Sequence, residues 1–104
     1  MAKKIERNKN TFDTATTGTV TVNSSTAQTL VPANPDRTGL IVSNDSNNEL
    51  WIRYYPASVD NIQQGILLEN GRAGHWEMPT DNIYNGEISA ISVSGTPDVY
   101  ITDY

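Results

Sequence analysis

The 104-residue chain has no cysteine, one histidine and one phenylalanine. The absence of cysteine excludes disulfides, thiol nucleophiles and Cys-ligated zinc or iron–sulfur sites. No apolar run approaches the ~20 residues needed to span a bilayer. Long runs of Ala, Leu, Glu and Lys, the residues that favour helices, are also missing. The opening MAKKIERNKN is basic but lacks the apolar segment of a secretory signal, so none is expected. Lysine stops at residue 9, and the only cations beyond it are Arg37, Arg53 and Arg72.

What is present points to β structure. The polar residues are mostly Thr, Ser and Asn, which compete for backbone hydrogen bonds or branch at Cβ and so disfavour helices. From Gly18 onward, short apolar runs alternate with clusters of Pro, Gly, Asn and Asp, the spacing of a sandwich or barrel. Strands are expected over 19–23, 27–31, 39–44, 49–55, 66–69, 74–78, 87–93 and 99–102. Pro32, Pro35, Pro56 and Pro79 interrupt the ladders because proline has no N–H to donate. The expected fold is therefore all-β: an antiparallel, jelly-roll-like sandwich of about eight strands. It spans residues 19–104, one domain. Residues 1–18 lack any period and form an extended N-terminal arm, with Ile5 and Phe12 as lone apolar anchors.

Charge divides along the same boundary. Lys3, Lys4, Arg7 and Lys9 against Glu6 give the first nine residues a charge of +3, and the remainder carries −8, for a net −5. A small basic arm precedes an acidic body and is suited to an acidic neighbour. Four cations with no interleaved aromatics are too few for a nucleic-acid interface, and neither nucleic acid nor membrane is an expected partner.

Alternation assigns faces. In the fourth strand Leu50, Ile52 and Tyr54 share one side, and Trp51, Arg53 and Tyr55 the other. In the last, Val99 and Ile101 lie opposite Tyr100, Thr102 and Tyr104. The aliphatic sets suit a core between sheets. Trp and Tyr carry apolar area with a polar handle, as protein interfaces require. Trp51, Arg53, Tyr55, Tyr100 and Tyr104 are therefore the candidates for a subunit interface.

Catalytic patterns are weak. His75 lies mid-strand beside Trp76, and no Gly-x-Ser-x-Gly elbow occurs. Asp45-Ser-Asn47-Asn-Glu49 alternates oxygen donors but lacks the glycine and distal glutamate of a calcium loop, and a tight turn explains it equally well. No glycine loop cradles a phosphate. The expectation is a structural or binding protein with no catalytic residue, metal or cofactor.

The stretches LVPANPDRTGLIVSN, LWIRY, GILLENG and HWEMPTDNIYNGEISAISVSGTPDVYITDY together resemble small virion proteins of tailed bacteriophages. The resembling features are Asn34-Pro35-x-Arg37-x-Gly39 entering an apolar strand and Gly65-Ile66-x-Leu68 with Gly71. The Gly86–Val93 strand and the Ser94-Gly95-Thr96 turn also match. The resemblance covers roughly residues 19–104. It implies a protein made in the host cytoplasm that decorates the outer surface of the head, binds the major capsid protein and forms homo-oligomers, a trimer above all. A tail- or fibre-associated adhesion module for a host glycan or receptor is the alternative. On the capsid reading, Lys3, Lys4, Arg7, Lys9 and Phe12 form the docking arm.

Arg37 sits where Pro32 and Pro35 leave carbonyls without ladder partners. Its planar fork of five donors suits those carbonyls, or a carboxylate on a neighbouring strand. Arg37 and Gly39 are thus expected to be structural, the arginine fixing the turn before the glycine.

Overall fold

The structure is a computed structural model and describes residues 16–70 and 74–104. Its strands are β1 (Thr16–Thr21), β2 (Gln28–Val31), β3 (Leu40–Asn44), β4 (Leu50–Arg53), β5 (Ile66–Leu68), β6 (His75–Glu77), β7 (Ile88–Ser92) and β8 (Asp98–Asp103). No described residue is helical. The strands form two four-stranded antiparallel sheets, ordered β1-β8-β3-β6 and β2-β7-β4-β5. The pairing is nested: β1 with β8, β2 with β7, β3 with β6, and β4 with β5. The chain is a long antiparallel ribbon wrapped into an all-β sandwich.

Each expected strand is present, most ends lying within one residue of expectation and those of β1 and β4 further off. β1 begins at Thr16, inside the stretch expected to be arm, because Thr16 and Thr17 pair with Asp103 and Thr102. β-Branched threonines suit that pairing. β4 ends at Arg53, where the chain leaves the ladder ahead of Pro56. The arm residues Lys3, Lys4, Arg7, Lys9 and Phe12 lie outside the described residues.

Alternation places the core. β3 turns Leu40, Val42 and Asn44 inward and leaves Ile41 and Ser43 half-buried. Val99 and Ile101 of β8 meet Leu50 and Ile52 of β4 within the same apolar cluster. Burying one such side chain contributes about 1.5–3 kcal/mol.

β7 departs from alternation, with all five residues buried. Ile88 and Ala90 belong to the core between the sheets. Ser89 and Ile91, on the opposite side, are buried as well, because residues 54–65 fold back as a strap across the outer face of the second sheet. Along it, Asn61 Oδ1 accepts from the Ala27 amide at 2.8 Å, and Gln63 Nε2 donates to the Ser92 carbonyl at 3.0 Å. The strap re-enters the sheet at Gly65, whose φ of 132° and closeness to the Ile52 carbonyl exclude a Cβ. Among the described residues, none covers the first sheet in this way, and Thr17, Thr19, Thr21 and Tyr100 are exposed on its outer face.

The two flanks of the sandwich also differ. On one, Trp76 of the edge strand β6 packs against the core together with Tyr84. On the other, a groove of about 330 Å³ opens between the edge strands β1 and β2, lined by Val20, Leu30, Val31 and Ile101 among others.

Candidate functional site

The described residues concentrate their polar interactions around two arginines. Arg37 is 4% exposed and Arg53 1%. They are the only Lys or Arg among the described residues, so the cationic charge there is internal and the exposed ionised groups are carboxylates.

Asn34-Pro-Asp-Arg37 forms a tight turn. Asn34 Oδ1 accepts from the Asp36 amide at 3.0 Å, and its carbonyl accepts from the Arg37 amide at 3.1 Å. This turn aims the Arg37 side chain into the end of the sandwich. There Nε donates to Asp103 Oδ1 at 2.9 Å. Nη1 donates to the carbonyls of Tyr84 at 2.7 Å and Gly86 at 3.3 Å, and Nη2 to the carbonyl of Pro32 at 2.9 Å. One guanidinium thereby joins the β2–β3 connection, the β6–β7 connection and the last strand. Asn85 adds to this, its Nδ2 donating to the Asn34 carbonyl at 3.0 Å.

Gly39 and Tyr104 complete the same end. Their backbones exchange hydrogen bonds, Gly39 N to Tyr104 O at 2.8 Å and Tyr104 N to Gly39 O at 3.0 Å. The outer end of the Tyr104 ring lies where a Cβ on residue 39 would go, so a side chain there would displace the ring. Beside the turn, Tyr54 stacks on Tyr84 with centroids 4.8 Å apart and rings 1° from parallel. Trp76 meets Tyr54 edge-on at 6.0 Å. Burial raises the Tyr54 hydroxyl pKa above its ordinary value, and the Arg37 charge opposes that rise.

Arg53 requires a correction. Alternation put it on an outward face as a subunit-interface candidate, but its side chain is enclosed by its own chain. Nε donates to Ser89 Oγ at 3.0 Å. Nη1 donates to Asp60 Oδ1 at 2.6 Å and the Ile62 carbonyl at 3.1 Å, and Nη2 to the Asp60 carbonyl at 3.0 Å. The Tyr55 ring lies 4.4 Å from the guanidinium carbon, a cation–π contact. Arg53 fastens the strap to the sheet and has no surface left to offer a neighbour.

The other candidates are dispersed. Trp51 is half-buried on β4, Tyr55 half-buried at the root of the strap, and Tyr104 half-buried against Gly39. Tyr100 is 52% exposed on the bare face of the first sheet. His75 is exposed on β6. Among the described residues, no group of three His, Asp or Glu side chains is arranged to hold a metal ion. The 45–49 stretch is organised by Asn44 instead: Nδ2 donates to the Asn48 carbonyl at 2.7 Å, and Oδ1 accepts from the Ser46 hydroxyl at 2.6 Å.

Nothing in the sequence pattern marks the strap, and neither Asp60 nor Glu87 falls in any catalytic or metal-binding motif. Glu87 Oε2 accepts from the Thr29 hydroxyl at 2.8 Å and from the Ala57 amide at 2.9 Å, tying the strap's first turn to β2. No family model, curated protein or solved structure matches this chain.

Two outcomes follow from this geometry. Arg37→Ala removes the donor from Asp103 Oδ1 and from three carbonyls, and the cost of breaking a buried pair is about 3–5 kcal/mol. Calorimetry should register a Tm loss of more than about 10 °C, and Arg37→Lys should recover only part of it, because a point charge cannot span the four acceptors. An unchanged Tm in Arg37→Ala would remove the arginine from its structural role. The second outcome concerns Glu87, whose carboxyl is held below the usual range first by the Ala57 amide and then by the Thr29 hydroxyl. The fold favours the ionised form. Its contribution is complete above the ordinary glutamate value and is lost as pH falls through the lowered one. Hydrogen-exchange protection of the Ala57 amide should therefore drop on acidification, and Glu87→Gln should lower it already at neutral pH.

Proposed function

We propose that this chain is a structural protein of a tailed-bacteriophage virion, without enzymatic activity, that attaches to the outside of the assembled head and reinforces it. The observation that carries this reading is the nested strand order, β1 with β8 inward to β4 with β5. We read that order as jelly-roll-like, and double-sheet jelly rolls are an architecture of viral capsid and lectin domains. Fold analogy alone does not assign a function. The motif-level resemblance to phage virion proteins adds to it, and so does the internal use of both described arginines. A fold that spends its guanidinium groups on tying connections together is suited to bearing load at a surface.

The partner is the major capsid protein. The described body displays carboxylates, whereas Lys3, Lys4, Arg7 and Lys9 give the N-terminal segment its positive charge. That segment, with Phe12 as its apolar anchor, would bind an acidic groove of the shell. A ligand that binds the assembled shell and not its separated subunits stabilises the shell by mass action, by about 2.7 kcal/mol at a hundredfold excess over Kd. Self-association belongs to this reading. The resemblance implies three copies, and exposed Tyr100 is available to a neighbour.

A second reading has its own observation. Tyr54 is 38% exposed while stacked on Tyr84, an aromatic face of the sort that sugars stack upon. An adhesion module for a host glycan or receptor would use it.

Two measurements separate these readings. Undecorated heads mixed with the full chain should carry it through sedimentation and should disrupt at a higher temperature. A form lacking residues 1–15, which keeps β1, should bind far less. Attachment undiminished by the truncation would exclude the arm, and no attachment by the full chain would overturn the capsid reading. Glycan-array binding that disappears in Tyr54→Ala at unchanged Tm would establish the adhesion reading in its place.

A further inference from the structure

A sandwich of two open sheets has four edges, and an exposed edge invites pairing with another chain unless it is blunted. Three of these edges are blunted. β2 has an irregular register between Thr29 and Val31 and runs into Pro32. β5 is three residues long and enters from the positive-φ Gly65. β6 is also three residues long, carries Glu77 and is followed closely by Pro79. β1 has none of these devices. Its six residues, Thr-Thr-Gly-Thr-Val-Thr, hold no charge and no proline, and pair with β8 without a break.

We infer that β1 is a homodimer interface, pairing antiparallel with β1 of a second copy about a two-fold axis at Thr19. The inference keeps self-association but replaces the three copies implied by the resemblance with two, and it is independent of what the protein attaches to. It rests first on self-complementarity, which an isologous contact demands. Pairing about Thr19 sets Thr17 opposite Thr21 of the partner subunit and Thr19 opposite its own copy. The exposed face gains a row of Thr–Thr pairs, a favourable cross-strand combination. On the other face, Gly18 lies opposite Val20 of the partner subunit.

The surroundings of that second pair are the independent observation. A Cβ placed on Gly18 would meet no heavy atom within 4 Å. Gly18 and Val20 form the rim of the roughly 330 Å³ groove whose floor includes Leu30, Val31 and Ile101. Val20 of the partner subunit would enter beside Gly18 and cover that apolar floor, while Val20 of the first copy does the same on the other side of the axis. A shift of the register by one residue would turn valine to the threonine face and leave the groove open, and of the registers that keep the faces only this one sets Val20 opposite Gly18.

Charge selects the same occupant. The strand is neutral, so two copies meet without a like-charge cost along the contact. The antiparallel direction brings the chain entering β1 at Thr16 past the partner's Thr21, whose hydroxyl donates to exposed Asp98.

The test exploits the self-pairing of residue 19. By analytical ultracentrifugation the full chain should be a dimer. Thr19→Lys and Thr19→Glu, both at an exposed position, should each weaken dimerisation by about fivefold or more, because like charges face each other at the axis. An equimolar mixture of the two should restore it. Gly18→Val should also weaken it, with the thermal melt confirming that each variant is folded. A wild-type monomer or trimer would overturn the inference, as would folded variants that dimerise unchanged or a mixture that fails to recover. None of these results depends on whether the protein binds heads.

Discussion

The guanidinium of Arg37 answers a problem created by the prolines around it. A chain leaving β2 through Pro32 and Pro35 cannot continue a ladder, so it brings carbonyl oxygens to the end of the sandwich without matching N–H donors. A buried carbonyl left unbonded costs about 1–3 kcal/mol. Arg37 supplies donors to three carbonyls and one carboxylate from three separate segments. Asp103 balances its charge, which a buried cation requires. The two connections and the last strand are positioned together, and the Tyr54–Tyr84 stack and the Gly39–Tyr104 exchange sit against the result.

Arg53 applies the same chemistry to a different task. It takes no part in closing an end of the sandwich and instead holds a twelve-residue strap, 54–65, on the face of a sheet. The consequence for the surface is shared. Because both described arginines are internal, what the described body shows to its surroundings is carboxylate, hydroxyl and scattered apolar side chains. The remaining Lys and Arg residues, Lys3, Lys4, Arg7, Lys9 and Arg72, lie outside the described residues.

The strands were legible because their signals are local. Short apolar runs between Pro, Gly and Asn mark all eight, and Leu50, Ile52 and Val99 fall on the side that alternation assigns. Prolines at 32 and 35 pointed to unpartnered carbonyls near Arg37, and Pro32 O is one of its acceptors. Arg53 shows where local reasoning stops. Period two places it outward, and it is outward with respect to its own sheet. Its burial comes from Asp60 and Ile62, which reach it only after the chain has doubled back over Ser89. Nothing in Ala-Ser-Val-Asp-Asn-Ile-Gln-Gln distinguishes a loop that returns across a sheet from one that stays in solvent. The start of β1 at Thr16 is a subtler case, since threonines in a polar stretch read as arm until the partner strand β8 is known.

The strap also changes what β7 is. Lying between the core on one side and residues 54–65 on the other, Ile88–Ser92 has no wet side. Its two serines serve as buried hydrogen-bonding groups, Ser89 toward Arg53 and Ser92 toward the Gly95 carbonyl. A strand on an ordinary surface sheet tolerates drift at every second residue. This one has no such silent positions, so five consecutive residues are answerable to two layers at once, and a mutation anywhere along them is felt in both.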